Sequence, residues 1–227
     1  MDLPLTAAGA GAARTAPPSL LLGLGFAVLV RATGLLVMAW ASRHGDPAAA
    51  DVATFAAAIV GAAIVAALVL GMARAGRTTL RELGWSTTSP GRGVLLGVVG
   101  GLALVLATAG LVEVAEPGGF GSTLSAVASW TPRQRLLFLV IGTGAAFAEE
   151  SAFRGWLQSA VSGRLGSWAG IPLVAGLFAV LHLAFHPVAL AVKLVFGLVL
   201  GLLADRTRSL VAPALAHALS WVLLGLA

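Results

Sequence analysis

LLFLVIGTGAAFAEESAFRGWLQSAV, residues Leu136–Val161, is apolar over most of its length yet carries Glu149, Glu150 and Arg154. As a helix rising about 1.5 Å per residue it is long enough for the roughly 30 Å hydrocarbon core of a bilayer. A charge at the centre of such a span costs about 2.5–3.5 kcal/mol, so each one needs a partner or a task. Glu150 and Arg154 are four residues apart, share a helix face and can neutralise each other. Glu149 lies about 100° round the helix and cannot use Arg154 in the same way. It needs another counter-charge or a retained proton, and a buried carboxyl group that holds a proton suits proton transfer. Ala145, Ala146, Ala148 and Ala152 beside it let a neighbouring helix approach closely.

The rest of the chain supports a membrane reading. Of 227 residues, 59% are apolar and 10% charged, against about 45–50% and about 25% in soluble domains, which excludes a water-soluble globule. With no Cys, disulfides, thiol catalysis and cysteine metal sites are excluded. The net charge of +5 is spread along the chain, so membrane lipid, not nucleic acid, is the expected partner. Seven apolar segments predict an all-α, polytopic transmembrane bundle of about seven spans: Leu20–Trp40, Val52–Met72, Gly93–Val112, Leu136–Val161, Trp168–Phe185, Val188–Ala204 and Leu210–Ala227. Counting Arg at the segment ends gives eight on the N-terminal side against three on the other, hence N-inside. Arg greatly outnumbers Lys in an Ala- and Gly-rich chain, which hints at a prokaryotic plasma membrane. Residues 1–18 read as a loose tail. Residues 19–135 hold the first spans, a short surface-lying piece at Arg77–Arg92 and the longest outer loop at Glu113–Arg135. Residues 136–227 form the core, and no repeat or duplication is visible.

Further ionisable groups fall inside other segments: His182 and His186 in or near the fifth, Lys193 in the sixth, His217 in the seventh and Arg31 in the first. Counted from the segment ends, Glu149, His182 and His217 lie about 18, 16 and 12 Å from the cytoplasmic face. Three helices thus bring an unpaired Glu and two His to similar depth. His186, beside Pro187, reads as interfacial. Lys193 and Arg31 read as snorkelling or paired, with no catalytic role. Gly197 and Gly201 read as a helix-packing contact.

Glu149-Glu150-x-x-x-Arg154, then Phe178-x-x-x-His182, then His217 after Ser209-Leu210-x-x-Pro213, resembles the CAAX-protease and bacteriocin-processing (CPBP, or ABI) family of intramembrane proteases. Leu80-Arg81-Glu82-Leu83-Gly84-Trp85 is similar to a segment common ahead of that family's core. The resemblance implies an endopeptidase acting on membrane-associated proteins or peptides. Glu149 would activate water with His182, Glu150 and Arg154 would orient the site, and His217 would stabilise the oxyanion. The family often carries Asn one turn after the last His; here Trp221 stands there, with Ser220 as a candidate replacement donor. The family is often labelled metalloprotease, and Glu149, His182 and His217 could hold zinc with one position open for water. Zinc is the one cofactor left open, and metal-free water activation is the favoured expectation. Two rivals remain: an inactive scaffold or immunity protein of the same fold, and a proton-coupled transporter.

Overall fold

A computed structural model describes residues 20–43, 60, 63, 66, 67, 70, 78–183 and 185–226, with side chains 33–43, 133, 137 and 141 outside the description. The expected N-terminal tail, and most of the expected span Val52–Met72, lie outside these residues. Among the described residues every regular element is helical: α1 (Leu20–Arg43), α2 (Pro90–Ala115), α3 (Gly119–Ala128), α4 (Pro132–Glu149), a π-helical segment (Glu150–Gln158), α5 (Ser159–Leu165), α6 (Ser167–Leu181), α7 (Pro187–Thr207) and α8 (Val211–Leu226). This is the all-helical membrane bundle expected from composition. Three continuous helices, Pro90–Ala115, Gln134–Leu165 and Pro187–Thr207, are long and apolar enough to cross a bilayer, and the apolar helices Ser167–Leu181 and Val211–Leu226 are shorter.

Local chemistry sets the helix ends. Thr131 caps α4 through a capping box: its hydroxyl accepts from Gln134 N at 3.3 Å, while Gln134 Oε1 accepts from Thr131 N at 2.9 Å. Pro132 and Pro187 occupy first-turn positions, where the missing N–H costs nothing. Gly166, at φ +79°, turns the chain from α5 into α6.

Polarity is reversed relative to a soluble protein. Leu21 (81% exposed), Leu106 (71%) and Val114 (86%) face outward, while Glu149, Glu150, Arg154, Gln158 and His217 are all buried. Lipid is the solvent that makes such a surface tolerable.

Three expectations are corrected. The predicted outer loop Glu113–Arg135 contains helix α3, whose start is held by the Glu113 carboxylate accepting from the N–H groups of Gly118 (2.8 Å) and Phe120 (3.0 Å). The piece read as surface-lying is inserted into the bundle over its described part. Leu83 is 3% exposed, Trp85 stacks on Phe147 at 4.7 Å between ring centres, and Leu210 N donates to Gly84 O at 2.8 Å. Its apolar side chains find a recess at Gly155, where a Cβ would stand 3.1 Å from Leu83 O. The fifth segment stops early. Helix α6 ends at Leu181 and the chain reverses through Leu183 at φ +53°, so His182 terminates the helix instead of lying within it.

Candidate active site

The site is built around the junction of α4 and the π-helical segment. A π-helix closes i→i+5 hydrogen bonds, is rare, and occurs mostly at functional positions. Here it presents a wholly buried stretch, Glu150 to Gln158, to helices α1, α6 and α7. The two adjacent carboxylates serve separate networks.

Glu150 Oε1 accepts from Arg154 Nη1 at 3.0 Å, the expected i,i+4 pair, and from His217 Nδ1 of α8 at 2.9 Å. All three side chains are at most 2% exposed. Arg154 Nη2 also reaches Gly197 O at 3.5 Å, and one turn on Gln158 Nε2 donates to Gly201 O at 3.0 Å. The Gly197–Gly201 contact is therefore more than packing. A Cβ at Gly197 would stand 2.6 Å from Ala175 Cα, so only Gly brings the α7 backbone near enough for its carbonyls to receive these donors.

Glu149 finds different partners. Its Oε1 accepts from Arg31 Nη1 of α1 at 3.1 Å, and its Oε2 lies 3.7 Å from His182 Nε2. The counter-charge that Glu149 needs is thus Arg31, a residue to which the sequence assigned no role in the site. The ring of His182 is fixed by its other nitrogen, 2.6 Å from Phe178 O. A carbonyl only accepts, so Nδ1 carries the proton and Nε2 of the neutral ring has a lone pair. Phe178 holds both imidazoles, with ring centres 4.3 Å from His182 and 6.4 Å from His217. The three expected residues divide between two networks, Glu149 with His182 and His217 with Glu150, and Phe178 lies against both imidazoles.

The remaining candidates are placed differently. Ser220 Oγ donates to His217 O at 2.7 Å, so its one proton is committed to the backbone. Trp221 packs on Phe138, 4.8 Å between ring centres, and fills the space left at Gly142. His186 is exposed at the start of α7, 3.8 Å from Glu116. Lys193 lies over the Phe196 ring at 5.5 Å.

Zinc ligands stand about 2.0–2.2 Å from their ion. Among the described residues no three His, Asp or Glu side chains are grouped to hold a metal. His217 lies in the Glu150 network and is not grouped with Glu149 and His182 as a third ligand. The donor set as placed does not fit zinc.

A cavity of about 400 Å³ opens where α5 meets α6 and α7 meets α8, and Arg81, Arg208, Asp205, Gln158 and Arg154 contribute to its wall. Polar lining thus runs from one end of the bundle to the Glu150 network.

Comparison with curated proteins and with solved structures gives no match. Comparison with protein families matches residues 131–223 to the type II CAAX prenyl endopeptidase Rce1-like family, a family of proteases within the CPBP group. The match begins at the Thr131 cap of α4 and takes in both carboxylates, Arg154, His182 and His217. This chain is an integral membrane protein whose residues 131–223 match the Rce1-like family.

Proposed function

We propose that the protein is an intramembrane endopeptidase that hydrolyses a peptide bond of a membrane-associated protein or peptide, with water activated between Glu149 and His182. One observation carries the reading: two acceptors face each other across 3.7 Å, Glu149 Oε2 and the lone pair of His182 Nε2. That is longer than a direct hydrogen bond of about 2.7–3.2 Å, and with Nδ1–H held by Phe178 O the two atoms can share one water lying beside them. A water there donates one proton to each and directs its free lone pairs outward, toward a substrate carbonyl.

On attack the water oxygen bonds the carbonyl carbon and its proton passes to Glu149. As the C–N bond breaks, Glu149 returns that proton to the leaving amine. The negative charge on the carbonyl oxygen needs a donor. His217 can supply one from Nε2 when its ring carries both protons, with Nδ1–H held by the buried Glu150 carboxylate. Such donors are worth most in a water-poor cavity. The polar cavity reaching Arg154 supports a water path from one end of the bundle.

Ser220 and Trp221 favour a second reading, an inactive scaffold of the same fold, because neither offers the second oxyanion donor. Cleavage of a quenched, membrane-anchored peptide by the purified protein separates the two. The protease loses turnover in Glu149→Ala, His182→Ala and His217→Ala with folding retained. Equal turnover in all three removes the mechanism, whereas no turnover in the wild type, with a partner kept in pull-downs, supports the scaffold. Proteoliposome uptake would point to a carrier.

A further inference from the structure

We infer that Arg31, on a helix outside the matched domain, is a positioning residue of the active site: it fixes Glu149 so that Oε2 is the atom that takes the proton. This rests on the endopeptidase reading above.

The geometry has three parts. First, Arg31 Nη1 donates to Glu149 Oε1 at 3.1 Å and Arg31 Nε donates to Leu181 O at 3.2 Å. One guanidinium therefore ties the carboxylate to the end of α6, one residue before His182. A helix leaves its last carbonyls unpaired and carries partial negative charge there, so α6 ending inside the bundle creates a place for a cation. Second, with Oε1 held by Arg31, Oε2 is the oxygen left facing His182 across 3.7 Å. Third, the register is built into α1. Gly23, Ala27 and Arg31 follow each other at intervals of four and share a helix face. A Cβ at Gly23 would stand 3.1 Å from Leu157 Cα, and Ala27 is fully buried. Gly23 lies on Leu157 and Arg31 on Glu149, a step of eight residues along each helix of an antiparallel pair. The small residues bring α1 close enough for Arg31 to arrive level with Glu149.

The test compares full-length wild type, Arg31→Gln, Arg31→Lys, Glu149→Gln and the double variant Arg31→Gln/Glu149→Gln in proteoliposomes, with a quenched anchored peptide. Misplacing a catalytic group by about 1 Å can cost on the order of 10²-fold. Arg31→Gln is expected to lower kcat by about 10–100-fold with KM within about twofold. Arg31→Lys, which keeps a cation beside Glu149, recovers most of that loss. In the Glu149→Gln background, Arg31→Gln has no further effect on the residual rate. If Arg31→Gln does not fold, a fully active Arg31→Ala or an inactive but folded Arg31→Lys still overturns the proposal. Wild-type turnover in Arg31→Gln, with Glu149→Gln inactive, overturns it while leaving the endopeptidase reading intact. A wild type that cleaves nothing removes both.

Discussion

Glu150, Arg154 and His217 form a network with almost no exposure, and such a network is most sensitive to the loss of one member. Glu150→Ala would leave the Arg154 guanidinium buried without its carboxylate, a change that costs about 3–5 kcal/mol. Thermal unfolding in detergent should show a marked fall in Tm for Glu150→Ala. Replacing Glu150 and Arg154 together by Met should cost less than the two single losses added, because no unpaired charge remains. The Glu150–Arg154 pair was legible in the sequence because helix periodicity alone puts i and i+4 together. The partner of Glu149 was not, since it depends on which face of α1 meets which turn of another helix. One signal was available: Gly23, Ala27 and Arg31 form a stripe of two small residues and a cation on a helix that is apolar from Leu20 to Val30. Ser220 spends its proton locally. A Ser inside a helix readily returns its proton to a carbonyl one turn back, and here it does so to His217 O.

At the scale of elements, close backbone approach decides whether the site assembles. A Cβ at Gly197 of α7 would meet Ala175 of α6 at 2.6 Å, so Gly197→Val should separate these helices and lengthen the Arg154 to Gly197 contact. A Tm loss together with lost peptide cleavage is the expected outcome, and an unchanged Tm would show that the helices pack elsewhere. The inserted segment before α2 makes a smaller contribution. Trp85 Nε1 donates to Ser151 Oγ at 3.0 Å, and a neutral hydrogen bond of this kind contributes about 0.5–1.5 kcal/mol net. Trp85→Phe keeps the stacking on Phe147 and should lose about that amount, while Trp85→Ala should lose more. Helix positions could be read from apolar runs because the bilayer demands them. The π-helical segment could not, since its hydrogen-bond pattern follows from packing against neighbours and leaves the apolar pattern of an ordinary helix. The early end of α6 was hidden for a related reason: His182 and Arg31, not a Gly or Pro, satisfy its last carbonyls.

For the whole molecule, the Arg asymmetry predicts an N-terminus inside, and the fold makes that testable. Glu116 lies by His186 at the start of α7, and Arg208 closes the other end of that helix. A 21-residue helix spans about 31 Å, so the two positions report on opposite membrane faces. The chain has no Cys, so single Glu116→Cys and Arg208→Cys variants can be labelled cleanly. An impermeant maleimide should reach Glu116→Cys in right-side-out vesicles and Arg208→Cys only after they are opened; the reverse pattern would invert the topology. The central claim concerns the water held between a carboxylate and an imidazole. Peptide cleavage in ¹⁸O-water followed by mass spectrometry of both product and protein tests it most directly. The account predicts one ¹⁸O in the new carboxylate of the first turnover, no covalent adduct on the protein, and no incorporation with Glu149→Gln. An acyl adduct on the protein, or full incorporation by Glu149→Gln, would contradict it.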